Sequence, residues 1–102
     1  MRKVYIVNKS THDFSSAERF GDLVFMSEGP INRYAVSQME RQFSEIMKDS
    51  NPEDYILCTS LTQMNIVAAC TFQNMHGRVN LLIHKYTRNG EDSYVERSLH
   101  YD

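Results

Sequence analysis

The polar residues of this chain that could do chemistry fall in three clusters, each following a short apolar run. Asn8, Ser10, Thr11 and His12 follow the first run, Ser27 and Glu28 the second, and Thr59, Ser60, Thr62 and Gln63 the third. Hydroxyls, amides and a histidine can hold a phosphate or carboxylate by hydrogen bonding. The third cluster also opens a helix, whose first backbone N–H groups favour an anion. Arg19 would add a charged fork if the short segment carrying it folds over the same cleft. The turn at Thr59-Ser60 lacks the glycine that lets a backbone approach a pyrophosphate closely. The plainer reading is that Ser60 caps a helix and the other residues solvate loops.

A small hydrolase or transferase would draw on His12 or Cys58. His12-Asp13 beside Ser10 or Ser15 has the residue types of a triad, but adjacent His and Asp side chains seldom orient as a triad requires. Cys58 stands just before a helix N-terminus, which could activate a thiol; core packing is the preferred reading for it and for Cys70. The four histidines and two cysteines show neither a CxxC nor an HxxxH spacing, so no metal and no cofactor is expected.

A different class of function would use the C-terminal end. Tyr86, Tyr94 and Tyr101 lie near Lys85, Arg88 and Arg97. Aromatic and basic residues in alternation can stack on single-stranded nucleic acid. Here Glu91, Asp92 and Glu96 dilute the positive charge, and the whole chain carries a formal net charge of −2. A protein interface through Tyr86, Tyr94, Val95 and Leu99, in a homodimer or against a host protein, is therefore preferred to nucleic acid.

These residues need elements to position them. Lys3 to Val7, Asp22 to Met26, Tyr55 to Cys58, Val79 to Tyr86 and Ser93 to Leu99 read as strands, from their β-branched and aromatic content and their bounding turn residues. Asn89-Gly90 predicts a type I′ hairpin turn before the last of these, which alternates like an edge strand. Ser15-Ser16-Ala17-Glu18 resembles a capping box for a short helix over Ser16 to Phe20 that stops at Gly21. Met39, Phe43, Ile46 and Met47 lie on one helical face, with a start at Ser37 and Glu40 or earlier, after Pro30. From Leu61 to Met75 the apolar residues fall all round. That predicts the most buried helix of the protein, N-capped by Ser60 through Ser60-Leu61-Thr62-Gln63 and ended by Gly77.

Strand–helix alternation followed by a hairpin predicts a compact, Rossmann-like α/β sandwich. It would have a mixed, mostly parallel sheet of about five strands and two main helices. The GxGxxG fingerprint is absent, so no dinucleotide is implied. The whole chain, 1–102, reads as a single domain, since 102 residues support one modest core. No apolar run is long enough to span a bilayer and the N-terminus does not read as a signal peptide, so no membrane association is expected.

Taken together, HDFSSAERFGDLVFMSEG, DYILCTSLTQMN, HGRVNLLIHK and YVER resemble a family of small proteins of tailed bacteriophages and their bacterial hosts. The resemblance implies a cytoplasmic protein acting in an infected bacterium. It brings no reaction, cofactor or functional residue. The functional expectation is a binding protein for a small nucleotide-like or phosphate-bearing molecule at the strand ends, with the interaction module and the small hydrolase as alternatives.

Overall fold

Strict alternation in two short strands sets the two faces of the sheet. Tyr5, Val7 and Ile56 point to one face, and Val4, Ile6, Tyr55 and Leu57 to the other; all are buried. Both faces therefore need cover, which is the condition for a parallel sheet. The computed structural model describes residues 1–90 and 92–100, with Asp92 described by its backbone alone. Tyr101 lies outside the described residues. The chain runs β1 (Lys3–Ile6), a 3₁₀ helix (Ser15–Phe20), β2 (Asp22–Phe25), α1 (Val36–Met47), β3 (Tyr55–Leu57), α2 (Thr62–His76), β4 (Arg78–Tyr86) and β5 (Asp92–His100).

The sheet order is β2-β1-β3-β4-β5. The first four strands are parallel, and β5 returns antiparallel along β4. This is the mostly parallel α/β sheet with a C-terminal hairpin that the alternation predicts. The step from β1 to β2 goes one way and the later steps go the other. Crossovers of one hand must then use opposite faces. The 3₁₀ helix accordingly packs Phe14 and Ala17 against Val4, Ile6, Tyr55, Leu57 and Leu82. Helices α1 and α2 bring Met39, Phe43, Met47, Met64, Ala68 and Phe72 against Tyr5, Val7, Ile56 and Val79.

Several local expectations are corrected. No Ser15 box caps the 3₁₀ helix; the Asp13 carboxylate accepts the Ser15 N–H at 2.9 Å instead. Helix α1 starts at Val36, before the Ser37 box could act, and Asn32 shapes the preceding turn by accepting the Tyr34 N–H at 3.0 Å. Tyr86 pairs with Asp92, which leaves a five-residue loop, and Asn89 has no positive φ. A type I′ turn needs positive φ at both central residues. The loop instead closes with the Gly90 N–H on the Thr87 carbonyl oxygen at 3.0 Å, with Gly90 itself left-handed.

Helix α2 is not buried all round. One helix layer covers each part of this face, so its outer side meets solvent: Ile66 is 57% exposed, and Cys70 and Met75 are exposed too. The reading of Cys70 as a core thiol fails with it. Gly77 does end the helix as expected, left-handed and donating to the Gln73 carbonyl oxygen at 2.8 Å. Gly21 is required for another reason. A Cβ there would lie 2.2 Å from the Arg2 carbonyl oxygen, where the chain turns in to pair β2 with β1.

Two measurements probe this core. Phe72 is fully buried, so Phe72→Ala should lower the unfolding free energy by about 3–5 kcal/mol in denaturant melts. The Tyr5 phenol is pushed up to about 12 by burial and then by the Asp54 and Asp49 carboxylates. An unfolded tyrosine titrates near pH 10. The unfolded chain thus loses its proton first, and the stability this group confers is intact below about pH 10 and lost as the pH rises towards about 12. Melts of Tyr5→Phe across that window should show a flatter decline than the parent; equal slopes would remove Tyr5 from the alkaline transition.

Candidate functional site

In an open parallel sheet the strand order reverses at one place, and the two loops leaving it there diverge to opposite faces. Here that place is between β1 and β3. The loop after β1 heads for the 3₁₀ helix and the loop after β3 for α2, opening a cleft of about 560 Å³ at the strand ends. Asn8, Ser10 and His12 line it from the first loop, and Cys58, Thr59, Ser60 and Leu61 from the second. Phe14, Ile83, His84, Tyr86 and Tyr94 form the rest of its wall. A second cleft of about 390 Å³ shares Asn8, Ser60 and Leu61 with the first and adds Arg33, Thr62 and Gln63.

Seven of the eleven polar residues singled out for the strand ends thus line one or both clefts. Thr11, Arg19, Ser27 and Glu28 do not. Thr11 is exposed and lines neither. Arg19 is turned the other way, with its guanidinium 4.6 Å from the Phe20 ring centre and Nη2 donating to the Tyr94 carbonyl oxygen at 3.3 Å. It braces the hairpin against the 3₁₀ helix and offers no fork to the cleft. Glu28 forms an exposed ion pair with Lys9 at 3.6 Å. Its neighbour Ser27 fixes the cleft wall: the hydroxyl donates to the Val7 carbonyl oxygen at 2.6 Å and lies 2.9 Å from Asn8 Oδ1, while Asn8 Nδ2 donates to the Gly29 carbonyl oxygen at 3.3 Å.

Ser60 is not the cap of α2. The helix begins one residue later, after Leu61, with no side-chain cap. Asn65, one turn inside, holds the entry instead. Its Nδ2 donates to the Thr59 carbonyl oxygen at 2.7 Å, and its Oδ1 accepts the Thr59 N–H at 3.3 Å and hydroxyl at 3.2 Å. Thr59 Oγ1 in turn accepts the Leu61 N–H at 3.1 Å. An amide that bonds both the N–H and the carbonyl of one residue fixes the turn more firmly than a single-oxygen cap. Ser60 is left exposed at the junction of the two clefts.

The geometry also bears on the nucleophile readings. Ser10 Oγ accepts the His12 backbone N–H at 3.2 Å, and Asp13 is engaged by Ser15, so Ser10, His12 and Asp13 do not form a triad. Burial pushes the Cys58 thiol up, opposite to what an activated nucleophile needs. Among the described residues no group of three acidic, histidine or cysteine side chains is placed to hold a metal ion. No described helix is long and apolar enough to cross a membrane.

Of the hairpin residues, Tyr94 is buried, stacked against the 3₁₀-helix side of the core, and Val95 is half-buried. Tyr86 and Leu99 are exposed, and Tyr86 belongs to the cleft wall. The sequence reading missed the cleft roles of Phe14, Arg33, Ile83, His84, Tyr86 and Tyr94. A signal for part of this existed: Leu82, His84 and Tyr86 alternate along one strand, so they share a face. Replacing the entry brace should be costly and replacing the supposed cap should not. Asn65→Ala, which leaves Thr59 partly unpaired, should cost about 1–3 kcal/mol in denaturant melts. Ser60→Ala should stay within about 0.5 kcal/mol of the parent; the opposite ranking would restore Ser60 as the cap.

No curated protein and no solved structure matches the chain. A family match does exist, over residues 2–100, and its description agrees with the resemblance to small phage proteins. With nearly its whole length matched, the chain belongs to the Phage Pam3 gp32-like protein family.

Proposed function

We propose that this phage-family protein is a binding protein of the host cytoplasm, taking a small nucleotide-like or phosphate-bearing molecule at the strand ends. The observation that carries the reading is the joined pair of clefts at the β1/β3 reversal. Their volumes fall in the range of small-molecule sites, which combine apolar walls with a few convergent polar groups. The larger cleft has the aromatic wall. The smaller has Arg33 and the first residues of α2, whose N–H groups have no helical partner one turn back. An elongated ligand with a ring at one end and an anion at the other matches both compartments. Arg33 would contribute charge and a planar fork for a phosphate.

Thermal shift with nucleotides, cyclic nucleotides, inorganic phosphate and simple anions tests this directly. A true ligand at 100 times its dissociation constant should stabilise the protein by about 2.7 kcal/mol. Arg33→Ala should then weaken a phosphate-bearing ligand while leaving the ligand-free melting temperature unchanged, because Arg33 is exposed. No shift with any compound of the panel would overturn the reading.

A further inference from the structure

We propose that the larger cleft is a nucleobase pocket, in which an uncharged flat ring stacks on Tyr86 at the aromatic lip and supplies most of the binding energy. The proposal rests on the reading of the strand ends as a ligand site, and it says which part of the ligand is recognised.

The first observation is charge. Among the described residues, no Lys, Arg, Asp or Glu lines this cleft. An anion would find no fixed countercharge among these described lining residues. A neutral ring needs none, since it brings no charge to be desolvated.

The second observation is the arrangement of rings. His84 lies edge-to-face with Tyr86 at 4.4 Å and 87°, with His12 at 6.0 Å and 90°, and with Tyr94 at 5.5 Å and 62°. His12 in turn packs edge-to-face on Phe14 at 4.8 Å. Edge-to-face contacts hold rings in fixed orientations without stacking face on face. Tyr86 remains 79% exposed at the lip, so most of its ring is uncovered. A large aromatic surface held at the mouth of a cleft can be covered by a flat ligand at little conformational cost. Every nucleobase has such a face, and stacking on an aromatic side chain tolerates the identity of the base.

The third observation is the polar equipment around the rings. Ser10 and His12 from one loop and Ser60 from the other also line this cleft. Each can donate to or accept from the hydrogen-bonding edge of a base. A purely hydrocarbon ring would leave these groups without use.

The test is calorimetric titration of the full chain with the four common nucleosides, their 5′-monophosphates, ribose 5-phosphate and inorganic phosphate. At least one nucleoside should bind within about tenfold of its monophosphate, and ribose 5-phosphate should bind at least about tenfold more weakly than either. Tyr86→Ala should weaken the nucleoside by roughly five- to a hundredfold, and Tyr86→Phe should retain its affinity within about twofold. Tyr86 is exposed, so both variants should melt with the parent, which circular dichroism would verify. If monophosphates and ribose 5-phosphate bind alike while nucleosides do not, the phosphate-bearing reading stands and the base pocket falls. Nucleoside binding that is indifferent to Tyr86→Ala would also overturn the stacking proposal. If no compound binds, both readings fall together.

Discussion

A buried polar junction between Asp54 and Asn80 holds the strands in register at the end of the sheet away from the clefts. The Asp54 carboxylate accepts the Lys3 N–H at 3.0 Å and the Asn51 N–H at 2.9 Å. Its carbonyl oxygen accepts Asn80 Nδ2 at 2.8 Å, and the same amide group reaches the Pro52 carbonyl oxygen at 2.7 Å. Asn80 Oδ1 then accepts Arg78 Nη2 at 2.7 Å and the Ser98 hydroxyl at 2.8 Å. One junction thus joins the start of β1, the approach to β3, and the paired strands β4 and β5. Parallel strands have no tight turn between them to set their alignment. A buried carboxylate and amide can do it, because each demands partners at fixed positions and is costly without them.

With register set at one end, the loops at the other end carry less of the structural burden. There Asn65 braces Thr59 within the entry to α2, while Ser27, after β2, reaches across to Val7 and Asn8 after β1. These contacts shape the cleft. The division matches the general habit of doubly wound sheets, in which ligands meet the loops beyond the carboxyl ends of the strands. It also places the titratable phenol of Tyr5 on the structural side, where Asp54 and Asp49 act on it.

The fold was legible because its signals are strong and agree with one another. Short apolar runs separated by helical periodicity predict alternating strands and helices, and all five strands and both main helices are present. Gly77 could be read as a helix end because a left-handed residue is needed there and glycine adopts it without cost. The caps were not legible. A Ser with a Gln three residues on states only that a box could form; Asn65, further along, takes the turn instead. The surface of α2 misled for a similar reason. Its composition is apolar all round, but how many layers cover a helix is a property of the whole fold. Of the residues that follow strands, those after β1 and β3 line the clefts apart from Thr11, whereas Ser27 and Glu28 after β2 do not. Those on the hairpin depended on register: His84 stands opposite Tyr94, and this follows only once Tyr86 is known to pair with Asp92.

Strand β4 outruns its parallel neighbour. Its pairing with β3 ends at Leu82, yet β4 continues to Tyr86 with β5 alone beside it. The last four residues are therefore a two-stranded ribbon projecting past the sheet, and Tyr86 stands at its end. Such a ribbon behaves as a ruler. Removing two residues from each strand would keep every remaining side chain on its own face and retract the tip by about 7 Å. Removing one from each would turn the tip side chains to the opposite face. Hairpin length in even steps is thus a means by which related chains could grade the depth of this cleft while the sheet beneath stays unchanged.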